Sequence, residues 1–396
     1  MRFARLFVPD ALVEAVGERA WLQAALDFEG ALALVEAEVG LIPPDAAEAI
    51  AACCAAARFD GDALVRDGRA VGNPAEPLVR ALRSAVGQHG VHVHHGATSQ
   101  DAMDTAAALV VTRALVPLRA ELAGAADACA TLAQAHRDTP MAARTLLQQA
   151  LPTTFGAKAA GWLEGLTRTR RALERLPDDA LAVQLGGGAG TLAALGERGP
   201  AVVAALAARL GLAEPALPWH AERGRVVEVA AALALGCAAA AKIARDVALL
   251  AQSEVAEVTE GAPGGSSAMP HKRNPTGCVL AAACAQRGGA HAAALVAAPA
   301  HEHERAIGAW HAEWDALSEL LACCGGALAH VHGVLAGLRV DDERMRVNLE
   351  ALLDALPAPP GAPARRDEDE LRRVVGPECL GSVGLFVDRA LAAHGA

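Results

Sequence analysis

Apolar positions in this chain recur with a three-four spacing over long stretches, and polar positions fall between them. After residue 225 one such stripe runs through Ile243, Val247 and Leu250 and continues to Glu254 and Val258. That period marks an α-helix packed on one side. It predicts an uninterrupted helix over 225–260, roughly 50 Å long at about 1.5 Å per residue. A second long helical region is predicted over 278–337, broken near Pro299. Further helices are predicted over 105–137, kinked at Pro117, and over 155–176, stopping at Leu176-Pro177-Asp178-Asp179. Residues 1–104 divide into shorter helices: Pro43-Pro44 opens one, and Gly72-Asn73-Pro74 marks a turn. Gln184 to Gly190 reads as a glycine-rich turn. Residues 357–366, rich in Pro, Ala and Gly, read as a linker, and the acidic run from Asp367 starts a short helical tail. Three regions result: an N-terminal helical domain over 1–104, a central helical bundle over 105–338, and a C-terminal helical region over 339–396.

Composition turns this pattern into a fold class. The chain is 53% hydrophobic, only 3% aromatic and without tyrosine. Alanine and leucine dominate, and both favour helix. An all-α protein is expected, with a core large enough for more than one domain. The net charge is −11 and no Lys/Arg block stands out, which argues against nucleic-acid binding. A small basic pocket for an anionic substrate remains compatible with that total. The nine cysteines form no C-x-x-C, and Cys53-Cys54 and Cys323-Cys324 are neighbours in alanine-rich stretches. Free thiols in a reducing, cytoplasmic setting are expected. Met1-Arg2-Phe3-Ala4-Arg5 is not expected to open a signal peptide, and the apolar run near 229–241 is interrupted by Lys242, Arg245 and Asp246. That run is expected to be too short to cross a membrane.

The chemistry concentrates in Gly264-Gly265-Ser266-Ser267-Ala268-Met269-Pro270-His271-Lys272-Arg273-Asn274-Pro275. Glycines let the backbone approach a ligand, and the prolines keep the stretch out of helix. Amide N–H groups beside a lysine can hold an anion that gains charge during reaction. A serine there can remove a proton if its own pKa is lowered. Elsewhere, His94-His95-Gly96-Ala97-Thr98-Ser99-Gln100-Asp101 leads into a helix. Its hydroxyls and amides suit either a carboxylate ligand or N-capping. Gln148, taken by itself, reads as a helix-surface residue. Arg223 reads as a bidentate partner for a substrate carboxylate or as a structural ion pair. Trp219, Trp310 and Trp314 suit core packing. Neither His92, His94 and His95 nor His301, His303 and His311 completes a metal-ligand spacing, and no dinucleotide fingerprint is present. No metal or organic cofactor is expected.

The loop at 264–275 resembles the signature loop of the fumarase/aspartase superfamily, and MPHKRNP resembles most its 3-carboxy-cis,cis-muconate cycloisomerase branch. Residues 94–101 are similar to the superfamily's H-x-G-x-T-S-x-D region, in which the histidine and the Thr-Ser pair face substrate. Arg144-Thr145-Leu146-Leu147-Gln148 resembles its R-T-H-x-Q region, with Leu146 in the histidine's place. That departure fits the cycloisomerases, which read R-T-W-x-Q, better than the amine-eliminating lyases. Pro218-Trp219-His220…Arg223, Glu304-Arg305…Trp310-His311…Glu313-Trp314 and Gly72-Asn73-Pro74 with Pro77-Leu78-Val79 also resemble that branch. The resemblance covers about 1–350, and the C-terminal region looks shortened by an internal deletion. It implies a cytoplasmic homotetramer with active sites shared by three subunits, acting on a small polycarboxylate. It further implies cycloisomerisation of 3-carboxy-cis,cis-muconate and 4-carboxymuconolactone through an enediolate-like intermediate. Ser266 would be the base, with Ser267 as its neighbouring alternative. Lys272 and His94 would complete the catalytic set, and Thr98, Ser99, Gln148, Arg223, Ser267 and Asn274 would bind substrate. The rival expectations are a sister lyase eliminating an amine or nitrite from a succinate-type substrate, or a catalytically silent helical scaffold.

Overall fold

The structure, a computed structural model, describes residues 3–355 and 380–395. The predicted linker at 357–366 and the helix start at Asp367 lie outside the described residues. The architecture is all-α. Long helices run over Glu18–Glu38, Ser99–Ala135, Phe155–Asp179, Gly224–Leu250, Thr276–Ala297 and Ala309–Ala336. Alanine-rich helices of this kind bury much of their circumference rather than one stripe. In Glu18–Glu38 every residue from Ala24 to Ala33 except Asp27 is buried, Glu29 among them. The break near Pro299 is present: no helix is assigned between Ala297 and Ala309. Pro117 lies inside the helix it was expected to kink.

Three expectations need correction. The helix predicted over 225–260 ends at Leu250. Beyond it, Ala256 takes a left-handed φ of 52°, and Val258-Thr259 pairs antiparallel with Arg339-Val340. The three-four pattern runs on past Leu250 because Val258 is also buried, but on a short strand paired with Val340 rather than on a helix face. Secondly, residues 140–154 form an antiparallel hairpin, Pro140–Thr145 with Gln148–Thr154, in which Thr145 pairs with Gln148. Gln148 is therefore on a strand and exposed, not on a helix surface. Thirdly, Gly224–Leu250 and Ala309–Ala336 are each long and apolar enough to cross a membrane, despite the charges after residue 241. Within the chain, 44% and 67% of their most apolar windows are buried.

By compactness the chain forms two units, each assembled from separated stretches. The first comprises Met1–Pro117, Ala172–Ala234 and Gly288–Ala322. Its core includes a cluster of Ala75, Met103, Ala306 and Trp310, against which Trp21 and Trp314 pack. Trp310 and Trp314 meet edge to face at 4.8 Å, a favourable arrangement for aromatic rings. The second unit comprises Leu118–Arg171, Leu235–Arg287 and Cys323–Ala396. There Ala142 of the hairpin packs on Leu349, Leu352 and Leu353 of the helix Asp342–Ala355. The tail helix Val383–Gly395 is tied back by the Arg137–Asp388 ion pair. Among the described residues every cysteine is a free thiol.

Candidate active site

In the first unit the site is built around the start of the helix Ser99–Ala135. The carbonyl of Thr98 accepts from the N–H of Asp101, which makes Thr98 the N-cap. The Asp101 carboxylate reaches back to the N–H of Thr98 at 2.9 Å, the N3 half of a capping box. The same carboxylate accepts from the N–H groups of Gly186 and Gly187 and lies 2.6 Å from His220 Nε2. Capping is thus done by Asp101. Among the described residues, the hydroxyls of Thr98 and Ser99 have no hydrogen-bond partner, so they stay available at a helix N-terminus, where anions are favoured.

His94, four residues earlier, is held from behind. Its Nδ1 lies 2.6 Å from Oε1 of Glu29, whose side chain is 1% exposed. The adjacent His95 places Nδ1 3.1 Å from Oε1 of Glu36, which is fully buried. Glu29 and Glu36 are seven residues apart on one helix, two turns along the same face. Burial lowers the pKa of His94, but the charge of Glu29 and its hydrogen bond outweigh that, and the net direction is upward. Burial, with Glu29 nearby, pushes the Glu36 carboxyl up to about 8. Sequence reasoning missed both glutamates. The available signal was a pair of acids seven apart, Glu29 and Glu36, flanking the apolar run from Gly30 to Val35.

Arg223 departs from the expected substrate-binding role. It is 3% exposed, and all five of its N–H donors are taken. Nε and one terminal nitrogen bond Glu313, at 3.1 and 2.5 Å. The two terminal nitrogens bond Asp104 at 2.8 and 3.0 Å, and one also bonds the Trp219 carbonyl. Asp104 further accepts from Gln100, Gln184 and the Trp310 indole. Arg305 reaches Gln100 and the carbonyls of Gly187 and Gly188. The Trp-His and Arg-Trp-Glu motifs around 219–223 and 305–313 therefore serve a buried polar network beneath the start of the 99–135 helix.

The second unit carries the loop at 261–275. It is pinched at its base, where Gly264 and Asn274 exchange backbone hydrogen bonds of 2.9 and 2.8 Å. The Asn274 amide donates to the Gly265 carbonyl, so it also closes the loop. Above that clamp Ser267 and Lys272 are exposed and Ser266 is half-buried. The N–H of Met269 donates to Ser266 Oγ at 3.1 Å. A donor aimed at that oxygen favours its ionised form. Buried Glu260 caps the following helix by accepting from the N–H groups of Gly277 and Cys278. The hairpin stands on its own anchor: Arg144 forms a bidentate pair with Glu257 at 2.7 and 2.8 Å, and Asn348 adds a third bond. At its tip Leu146 is 96% exposed, and Leu146 and Leu147 have φ of 53° and 66°. No hydrogen bond joins Gln148 to the loop among the described residues.

A lyase family pattern matches residues 8–287. The chain is 47% identical over 348 residues to a 3-carboxy-cis,cis-muconate cycloisomerase of Bradyrhizobium diazoefficiens, spanning 86% of this chain and 77% of that one. The chain belongs to this lyase family, within the fumarase/aspartase superfamily. It is also 46% identical to a nitrosuccinate lyase of Streptomyces davaonensis, over 85% of this chain and 74% of that one. The 3-carboxy-cis,cis-muconate lactonizing enzyme of Pseudomonas putida superposes with a TM-score of 0.91 at 38% identity, covering 99% of this chain and 98% of that structure. In this lyase the motif residues are of two kinds. His94, Thr98, Ser99 and Ser266 to Lys272 keep polar atoms accessible, whereas Asp101, Asp104, Arg144 and Arg223 are spent on holding segments together.

Proposed function

We propose that this enzyme interconverts 3-carboxy-cis,cis-muconate and 4-carboxymuconolactone. The observation that carries the reading is the similarity to cycloisomerases over most of the chain, at the level of sequence and of fold. Leu146 supports it, because a leucine in the position of the superfamily's histidine cannot protonate an amine leaving group. A departing carboxylate leaves as a stable anion and has less need of that proton. In the lactone-opening direction, the alkoxide of Ser266 takes the proton from the carbon beside a carboxylate. The electron pair moves onto that carboxylate to give an enediolate. Its collapse breaks the ring C–O bond, forms the alkene and releases the second carboxylate. Lys272 and the loop amides stabilise the alkoxide and then the enediolate, with Thr98 and Ser99 binding a substrate carboxylate. Gln148 and Asn274 supply further amide donors to the substrate, and His94 acts as described below.

The enzyme works in the cytoplasm as a homotetramer whose active sites draw on three subunits. More than half of the most apolar window of Gly224–Leu250 is left unburied in one chain, which supports a subunit interface there. Light scattering at micromolar concentration should give a tetramer, and a stable folded monomer would overturn the assembly. The second reading is elimination of nitrite from nitrosuccinate, favoured by the similarity to a nitrosuccinate lyase. Incubating the protein with each compound and following ultraviolet absorbance decides between them. Turnover of nitrosuccinate without turnover of 3-carboxymuconate would overturn the cycloisomerase reading.

A further inference from the structure

We propose that Glu29 is the positioning residue for His94: its buried carboxylate holds Nδ1 protonated and turns Nε2 toward the substrate carboxylates. This deepens the reading above and rests on it for the identity of the substrate. Three observations carry it. The first is chemical. An ionised carboxylate only accepts hydrogen bonds, so a separation of 2.6 Å from Nδ1 places a proton on that nitrogen and leaves Nε2 as the working atom.

The second is the isolation of the pair. His94 is the one hydrogen-bond partner of Glu29 among the described residues, and Glu29 Oε2 has none. A carboxylate buried to 1% exposure with a single partner calls for a compensating charge. The imidazolium of His94 supplies it. The two groups therefore form a preset ion pair rather than an incidental contact.

The third is geometry at His94 itself. Its backbone sits at a φ of 61°, a conformation that residues with a β-carbon seldom adopt. The flanking residues are fixed on both sides: Arg83 bonds the carbonyl of Val93, and His95 is tied to Glu36. Strain of this kind persists only where the surroundings over-determine it, and it clusters at functional sites. The result places a histidine that keeps some exposure, 11% of its side chain, four residues before the free hydroxyls of Thr98 and Ser99.

The charged groups facing His94 come from three helices: Glu29 from Glu18–Glu38, Asp101 from Ser99–Ala135 and Arg83 from Ala75–Val86. Glu29 and Asp101 favour the imidazolium, and Arg83 opposes it. Loss of the Glu29 charge must therefore make His94 titrate at lower pH.

The test uses the full-length enzyme and whichever of 3-carboxymuconate or nitrosuccinate it turns over. Glu29→Gln should lower kcat about 10- to 100-fold, the loss usual when the group orienting a histidine is removed. KM should change less than about threefold, since the effect lies in the transition state. The alkaline limb of the kcat/KM profile should move to lower pH. In a His94→Gln background, Glu29→Gln should add no further loss. Glu29→Asp, which keeps the charge one methylene shorter, should lower kcat while leaving the limb in place; it carries the test if Glu29→Gln does not fold. A limb that stays put in Glu29→Gln, an equal loss in the His94→Gln background, or an unchanged kcat in Glu29→Asp would overturn the proposal. Nitrogen-15 shifts of histidine-labelled protein, assigned with His94→Gln, read the titration of His94 without substrate. A wild-type His94 titrating at or below the ordinary histidine value would also overturn it. Because this readout needs no turnover, a wrong substrate and a wrong role for Glu29 give different results.

Discussion

The start of the helix Ser99–Ala135 and the loop at 261–275 are the two stretches of the chain with the densest chemistry, and they are built in opposite ways. At the helix start, Gln100, Asp101 and Asp104 are buried, and each carboxylate oxygen is saturated by donors from distant segments. In the loop, a two-residue backbone clamp carries Ser266, Ser267 and Lys272, and nothing above the clamp is buried. The lesson is that a motif residue in this lyase declares its role by its bonding rather than by its presence in the motif. A saturated residue supports the site, and one with unspent polar atoms acts in it.

The sharpest way to break this comparison is Ser266→Ala. It should cost about 10²–10⁴-fold in kcat, the range usual for an acid–base group, with the urea midpoint unchanged. A variant that kept more than about a tenth of wild-type kcat would move the base to Ser267 or His94. Arg223→Met tests the other side. It leaves Asp104 and Glu313 buried without their cation and should cost about 3–5 kcal/mol in urea denaturation. A midpoint within error of wild type would mean that the network is not structural and would reopen a substrate role for Arg223.

Glu36 gives a smaller, pH-dependent effect. A carboxyl whose folded pKa is raised holds its proton more tightly when folded than when unfolded. Its contribution to stability is therefore full below its ordinary value of 4.5 and is lost as pH rises toward 8. Glu36→Gln mimics the protonated form. Its stability relative to wild type should improve by about 1–3 kcal/mol between pH 5 and pH 9. Parallel melting curves across that range would show that Glu36 ionises freely in the fold. The smallest effect is expected at the hairpin tip. Replacing Leu146-Leu147 by Asn-Gly suits two successive positive φ values and should stabilise by about 1 kcal/mol. A loss of stability would mean that the exposed leucines are covered in the assembled enzyme.

Much of this was legible in the sequence. The long helices, the break at Pro299 and the loop at 264–275 announced themselves through apolar period, proline and glycine. These are local signals, set by a residue and its near neighbours. What stayed hidden was pairing between distant segments. Nothing around Arg223 names Asp104 or Glu313 as its partners, so a substrate role and a structural role looked equally good. The early end of the helix at Leu250 escaped for a similar reason. Ala251 to Glu257 hold no proline or glycine, and the turn there serves Arg144, more than a hundred residues away. Glu29 and Glu36 left a trace, but an acid inside an apolar helix becomes intelligible only with the histidine that meets it.

The Asp104–Arg223–Glu313 network also constrains the order in which the molecule can be made. Its members are separated along the chain by 119 and 90 residues. A ribosome adding about 5–20 residues per second needs several seconds to pass from the second to the third. Until Glu313 emerges, the guanidinium has one carboxylate and cannot fill its fork. The first unit, which also takes in residues up to 322, has to wait for the later part of synthesis before its polar centre can close. Nascent chains halted between residues 223 and 313 should therefore be more open to proteolysis around Arg223 than chains halted beyond residue 322 and clear of the exit tunnel.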